Sequence, residues 1–402
     1  MRVLISGASI AGPVLAYWLN KYGFDVTVVE RAPTLRKTGG HAVDLFRPSM
    51  DISEKMGVLD RIEARATGTN RLKIFREGRT QPIEADLTKI YGASSDRHVE
   101  IMRDDLSEVY YDAARHDVEY LFGDSITSIG HDGEVTFEHG PERSFDVIVG
   151  ADGLHSNVRR LTFGEEAGLT RFLGGYLAVV SAPKSLASEG EMVGHIRVGG
   201  FAAIYTADHL DDARAIFLFR SDEELDYDHR DSLRQKEILH DEYAGMHPQV
   251  DGWLAEIDRT PAFYFDSITQ LRLDIWSRRR VTLVGDAAYC PGPAVGGSTS
   301  LAVLGAYVLA GELAKADGDH LHAFAAYELA MREPVHLSRA FARGAVRSII
   351  PGSRVGVWAL TRGAQLVSSM PASLSRRMAK LNTKGVRMHD SMPVPDYSGV
   401  GV

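Results

Sequence analysis

The residues with the clearest chemical potential lie in the first thirty. Arg2-Val3-Leu4-Ile5-Ser6 reads as a short buried strand that runs into Gly7-Ala8-Ser9-Ile10-Ala11-Gly12 and then into an apolar helix from Pro13 to Leu19. A second strand, Val26-Thr27-Val28-Val29, ends on Glu30. Strand, glycine turn, helix, strand and acid, in that order, can grip the diphosphate and ribose of a dinucleotide. Gly7 permits the tight turn, and Gly12 permits close packing of helix on strand. The helix N-terminus offers free N–H groups and a positive dipole to a diphosphate, while Glu30 can accept hydrogen bonds from ribose hydroxyls. Ser9 stands where the middle glycine of such a turn usually falls. Its hydroxyl is small enough to fit, or itself donates to a phosphate. The competing reading is a tight strand-to-helix turn with no ligand.

Two more loops follow buried strands. Phe145 to Val149 opens into Gly150-Ala151-Asp152-Gly153, with Ser156 and Arg159 downstream. Arg280 to Val284 feeds Gly285-Asp286-Ala287-Ala288, a loop containing Pro293 and Gly296, and an apolar helix from about Ser300 to Ala314. Loops of this kind sit at the carboxyl ends of strands, where α/β folds bind ligands.

Together the three loops resemble, in order and separation, the motifs of the single-component FAD monooxygenases of the para-hydroxybenzoate hydroxylase type, the class A flavoprotein aromatic hydroxylases. The similarity spans residues 1 to about 330. It implies an α/β fold: a Rossmann-like FAD-binding domain, an inserted mainly β substrate domain and a helical C-terminal segment. It also implies FAD as cofactor, NADH or NADPH as co-substrate, and transfer of one atom of O2 to an aromatic or polyketide-like small molecule through a flavin C4a-hydroperoxide. That intermediate must be shielded from water.

Carried over residue by residue, the resemblance sets Gly7, Ser9, Ile10, Ala11 and Gly12 at the FAD diphosphate. Glu30 falls on the adenosine ribose and Arg31 along the adenine. Arg103 reaches the flavin's ribose or diphosphate, and Ile126 lines the adenine pocket. Gly285 and Asp286 meet the ribityl and diphosphate region. Pro293 and the backbone of Gly296, Gly297, Ser298 and Thr299 lie against the isoalloxazine. Arg47 stands near the flavin edge, and Asp152 and Arg159 are second-rank candidates for FAD and NAD(P)H handling. Tyr289 replaces the histidine that often follows Gly-Asp-Ala-Ala, and Gly296-Gly297-Ser298 replaces a Gly-Gln-Gly-like turn; both changes bear on flavin mobility.

The elements that must position these residues divide the chain into a discontinuous FAD-binding domain (1–70, 98–170 and 275–330), a substrate domain (71–97 and 171–274) and a C-terminal helical segment (331–402). Period-two patterning over Phe201–Thr206 and Arg214–Phe219 marks a half-exposed sheet. Its aromatics, Tyr176, Phe201, Tyr205, Phe217, Phe219 and Phe265, are core residues or the shield and floor of the pocket. His195 and Arg197 alternate on one strand, where they face solvent or touch a phenolate or carboxylate. With Tyr205 and Phe217 they are the substrate candidates. The residues suggest no catalytic base, nucleophile triad or metal-ligand spacing. The segment Gly92-Ala93-Ser94-Ser95 reads as loop, and the last ten residues as disordered.

The chain has 402 residues, 44% of them hydrophobic and 25% charged, with a net charge of −9. That composition suits a soluble globular protein and argues against bulk nucleic-acid binding. Its one cysteine, Cys290, excludes a disulfide framework and fits a reducing, cytoplasmic setting. No apolar run reaches the roughly 18–20 residues of a spanning helix. The basic charge is concentrated: eleven Lys/Arg stand against one acid between Arg332 and Met388. Arg339, Arg343 and Arg347 share one helical face, with Leu337, Phe341 and Ile349 on the other. This is a helix over the core with a solvated face, a subunit contact in a homodimer, or a surface for anionic lipid. A monomer is equally compatible. Within enzymes, the alternative function is an FAD oxidoreductase or saturase without oxygen transfer; outside them, it is a non-catalytic flavin-binding protein.

Overall fold

The computed structural model describes residues 1–35, 40–164, 168–229, 231–260, 263–293, 297–371 and 388–400. The first buried segment forms β1 (Arg2–Ser6), whose Val3, Leu4 and Ile5 are fully buried. A strand apolar on both faces needs helices on both faces, which favours a parallel sheet. That sheet has the order β17 (Ser277–Arg278), β18 (Val281–Leu283), β11 (Val147–Gly150), β1, β2 (Asp25–Glu30), β7 (Glu119–Phe122), parallel except for β17 at its edge. α1 (Ala11–Lys21) crosses from β1 to β2 and ends at Gly23, whose φ of 81° suits a left-handed cap. From β1 the chain continues to β2 on one side, while β11 pairs on the other. The carboxyl ends of β1 and β11 therefore flank a topological switch point.

A second, seven-stranded sheet has the order β16 (Phe263–Leu271), β12 (Thr170–Pro183), β15 (Asp212–Arg220), β14 (Gly200–Tyr205), β13 (Glu191–Arg197), β4 (Arg71–Arg76), β5 (Ile83–Asp86). Only β4 and β13 run parallel. A ribbon of β3 (Ala42–Leu45) and β6 (Val99–Met102) and a small sheet of β8 (Ile126–Ile129), β9 (Glu134–Phe137) and β10 (Arg143–Ser144) complete the strands. The other α-helices among the described residues are α2 (Arg47–Lys55), α3 (Leu59–Glu63), α4 (Leu87–Ser94), α5 (Arg103–Ala114), α6 (Asn157–Phe163), α7 (Ser232–Tyr243), α8 (Pro248–Leu254), α9 (Asp286–Tyr289), α10 (Ser298–Lys315), α11 (His320–Ile349) and α12 (Arg354–Ser369).

Three sequence expectations differ from the structure. The Gly92–Ser95 stretch lies at the end of α4 and its cap, because Asp86 caps that helix through the Thr88 N–H and α12 packs on it. The boundary drawn at 330/331 falls inside α11, which continues through Pro334. Of the last ten residues, 393–400 return to the body of the protein instead of fraying, Tyr397 being buried against Tyr307 and donating to Glu312 at 2.7 Å, while 401 and 402 lie outside the described residues.

The seven-stranded sheet has two unlike faces. On one, Tyr176, Ala202, Ile204, Phe217 and Phe219 pack with Leu239, Tyr243, Val250 and Trp253 of α7 and α8. On the other, Leu177, Val179, Leu218 and Ile268 meet Ala342 and Val346 of α11, while Ile74 and Ile196 meet Val357 of α12. Each such fully buried aliphatic contributes about 1.5–3 kcal/mol.

Candidate active site

The switch point is built around glycines that have no room for a side chain. Gly7 has φ of 109°, and a Cβ there would lie 2.5 Å from the Ala151 carbonyl oxygen on the neighbouring loop. A Cβ on Gly12 would lie 1.9 Å from the Gly7 carbonyl oxygen. The β1 and β11 loops and the first turn of α1 are thus in backbone contact. Ser107 of α5 donates to the Ser9 carbonyl at 2.9 Å, fixing the loop from below. The Glu30 carboxylate accepts the Ala8 N–H at 3.0 Å and the Ala32 N–H at 2.8 Å, so the acid at the end of β2 is aimed across the turn. Arg31 follows it and is exposed. Ile126, at the start of β8, is buried, and its carbonyl accepts the Asn157 side-chain amide at 2.6 Å.

The third loop comes in from the other side. Gly285, with φ of 67°, packs so close that a Cβ would meet the side chains of Ala11 and Ala302 at 3.3 and 3.4 Å. Asp286 starts α9. Burial pushes its carboxyl up, and the Cys290 thiol and the Arg103 charge oppose that push. Arg103 opens α5 and donates its N–H to the His41 carbonyl at 3.0 Å. The His41 ring lies tilted against Tyr264 at 5.7 Å and is pushed down to about 4, by burial first and then by Arg103, so its imidazole is neutral at pH 7. Burial raises the Cys290 thiol well above its usual range, as befits an inert thiol.

Several candidates are engaged in holding the loops. Asp152 accepts from Ser156 Oγ and, at 3.0 Å, from the Val158 N–H. Arg159 is fully buried and donates to the carbonyls of Ala287 and Leu154, which ties the second loop to the third. Arg47 pairs with Asp96 at 2.7 Å and with Asp390 at 3.3 Å, joining α2 to the C-terminal segment. Tyr289 points into the core, where its hydroxyl meets Tyr327 at 3.2 Å. Gly297, with φ of 80°, caps α10, and the His389 ring occupies the space a Cβ would need. Pro293, Ser298 and Thr299 are partly exposed beside it. Gly296 lies outside the described residues.

The substrate candidates separate by sheet face. His195 is buried toward α8, bonded to Gln249 at 2.8 Å and stacked on His247 at 4.0 Å. Arg197 reaches Glu242 of α7, and Phe217 packs edge-on to Tyr243. Tyr176, Phe219 and Phe265 share that helix-covered face. Tyr205 is on the opposite face, where its hydroxyl accepts the Ala42 N–H at 2.8 Å, beside Arg214, which donates to the Gly40 carbonyl at 3.1 Å. Phe201 packs on the Tyr205 side as well. Strand alternation pairs these residues correctly but carries no sign of which face meets the cleft.

This geometry fits FAD. α1, α9 and α10 all begin without a side-chain cap, so first-turn N–H groups remain available to phosphate and flavin oxygens. Among the described residues no cluster could hold a metal ion, and no helix is long and apolar enough to cross a membrane.

The fold and site define a flavin-binding oxidoreductase, and sequence comparison agrees. A family model described as "FAD binding domain" matches residues 1–320. The chain is 42% identical to the uncharacterized protein Rv1260 of Mycobacterium tuberculosis, over 81% of this chain and 88% of that one. It is 33% identical to a flavin-dependent monooxygenase of Legionella longbeachae, over 85% and 87%. Among solved structures, the tetracycline destructase Tet(51) superposes with a TM-score of 0.83 at 29% identity, over 98% of this chain and 99% of that one. Tet(55) gives 0.79 at 32% identity, over 92% and 98%. The chain belongs to the FAD-dependent monooxygenases of the para-hydroxybenzoate hydroxylase-like family.

Proposed function

We propose that this flavoprotein uses NADH or NADPH and O2 to hydroxylate an aromatic or polyketide-like small molecule held between the FAD loops and the Tyr205 face of the seven-stranded sheet. The observation that carries the reading is the convergence of the three loops at the switch point, with that sheet face bonded across to the β3–β6 ribbon through Tyr205 and Arg214. FAD, when bound, supplies the two-electron chemistry and the activation of O2.

The chain's own residues bind, orient and exclude water. The first turn of α1 and the backbone of Ser9, Ile10 and Ala11 receive the diphosphate, and Glu30 the ribose. Asp286 and Arg103 hold the ribityl-diphosphate region. Pro293 and the stretch from Gly297 to Thr299 form the bed of the flavin ring. Neutral His41 presents a polar, uncharged edge beside Arg103. Tyr205 and Arg214 clamp the ribbon, which excludes water from the reacting end. His195, Arg197 and Phe217 keep the outer helices on the sheet. The relatives named as flavin-dependent monooxygenases favour oxygen transfer over a saturase reaction. The two tetracycline destructases favour a polyketide-like substrate.

The test is an absorption spectrum of the purified protein, followed by anaerobic titration with NADH and NADPH across a panel of phenols and fused-ring polyketides. Bound flavin that bleaches faster with one ligand, and product carrying 18O from labelled O2, is the expected result. A protein that cannot be loaded with FAD, or one whose product carries no label, overturns the reading.

A further inference from the structure

Arg339, Arg343 and Arg347 stand on successive turns of α11, about 6 Å apart along the axis, on the flank of its buried stripe. Between this flank and the start of β12 runs an open groove. It consists of two contiguous cavities of about 190 and 280 Å3 that share Phe172, Leu173 and Arg347. Arg171 and Arg343 line the larger cavity, and Arg220, Ser221 and Asp222 the smaller. Four arginines thus face a single acid, Asp222, which is almost fully exposed and stands 3.7 Å from Arg220. Arg171, Arg343 and Arg347 pair with no described carboxylate within 4 Å. Like charges on consecutive helical turns repel, and in a chain of net charge −9 such a cluster calls for an anion.

The groove leads to the flavin loop. Gln270 donates to the Arg339 carbonyl at 3.0 Å and to the Pro291 carbonyl at 3.3 Å, so α11 and the loop after α9 are joined at this point. The Leu271 N–H donates to the Cys290 carbonyl at 2.9 Å beside it. Nε and Nη2 of Arg339 are shielded from solvent at this end and have no hydrogen-bond partner among the described residues. From Arg347 to Arg339 the helix spans about 12 Å.

We propose that this groove binds the phosphates of the reducing pyridine dinucleotide, a site that resting on Glu30 or the glycine turn would deny it, since those serve FAD. The diphosphate lies on Arg343 and Arg347, and Arg171 and Arg220 receive a 2′-phosphate. The half-buried Phe172 and Leu173 offer an apolar floor to the adenine, and the nicotinamide end is directed along α11 toward the Gly-Asp loop. The proposal rests on the reading that a pyridine nucleotide is the reductant, and it adds a preference for NADPH over NADH.

The test is anaerobic stopped-flow reduction of the FAD-loaded enzyme by NADPH and NADH, in wild type, in R343A/R347A and in R234A, a control that removes an exposed arginine of α7 outside the groove. Calorimetric binding of 2′,5′-ADP to the same proteins gives a readout independent of reduction. Loss of charge-assisted phosphate contacts in R343A/R347A is expected to raise the Kd for NADPH and for 2′,5′-ADP by about tenfold or more. The limiting reduction rate and the reoxidation of dithionite-reduced enzyme should stay unchanged, and R234A should behave as wild type. A Kd within about twofold of wild type in R343A/R347A overturns the groove. In R171A/R220A, measured alongside, binding of NADPH and 2′,5′-ADP should weaken while binding of NADH does not, and equal weakening of the two nucleotides in that variant overturns the 2′-phosphate assignment. A wild type reduced by neither nucleotide overturns the reductant reading itself, and the groove proposal falls with it.

Discussion

Two groups of helices begin in different ways. α1, α2, α5, α9 and α10 start around the FAD cleft, and none has a side-chain cap. α4, α7, α8, α11 and α12 start away from it and are capped by Asp86, Asp231, His247, Asp319 and Ser353. The short α3 also lacks a cap, and α6, beside the cleft, is capped by Ser156. A side-chain cap is worth about 1 kcal/mol, so its absence from α1, α9 and α10 is a stability cost that leaves donors open to a ligand, whereas the first N–H of α2 is taken by Asp390 and that of α5 by the His41 carbonyl. The lesson is that caps and cofactor compete for the same N–H groups.

The most damaging way to break that contrast is to fill the turn itself. Gly12→Val would drive its side chain into the Gly7 carbonyl, and the expected outcome is a colourless protein with FAD affinity reduced by about a hundredfold or more. Circular dichroism checks that the fold survives. A charge in the open turn comes next. Ser9→Asp places a carboxylate where the diphosphate is expected, and fluorescence titration should show FAD binding weakened by about tenfold or more, with no loss of thermal stability in the apoprotein.

The third prediction concerns pH. His41 and His389 are both pushed down to about 4 by burial, against 6.5 unfolded. Between pH 6.5 and 4 the unfolded chain binds more protons than the native one, so their contribution is complete above pH 6.5 and is lost as pH falls through that window. Each group accounts for up to about 3 kcal/mol. Glu100, pushed up to about 6 by burial and Asp44, acts in the opposite sense between 4.5 and 6. The net expectation is falling Tm below pH 6.5, with a shallower slope in His389→Gln, measured by thermal melts across pH.

The smallest effect sharpens the comparison from the capped side. Ser353→Ala should cost about 1 kcal/mol, lowering Tm by roughly 2–4 °C, and leave the Kd for FAD unchanged. A change in FAD affinity from this distant cap would remove the distinction between the two groups.

What the sequence made legible was local. Gly7, Gly12, Glu30, Gly285 and Asp286 lie in short runs whose strand–turn–helix order is written in neighbouring residues. The partners of those runs were not legible, because they come from far along the chain. His41 meets Tyr264 and Tyr205 meets Ala42 across the two sheets, and no spacing rule links such positions. The period-two alternation grouped His195 with Arg197 correctly, yet the helices that cover their face are supplied by residues 232–254. The Gly92–Ser95 stretch reads as loop because its composition is that of a turn, and tertiary packing on α12 overrides it.

The segment from Met388 to Tyr397 crosses back over the cleft: His389 fills the space beside Gly297, Asp390 engages Arg47 and Ser95, and Tyr397 lies against Gly311. These residues leave the ribosome after every other part of the flavin site. A chain still being synthesised can fold both sheets but lacks one wall of its cofactor cleft. The expected consequence is that cleavage ahead of Met388 leaves a folded protein with weakened FAD retention, checked by flavin release after limited proteolysis.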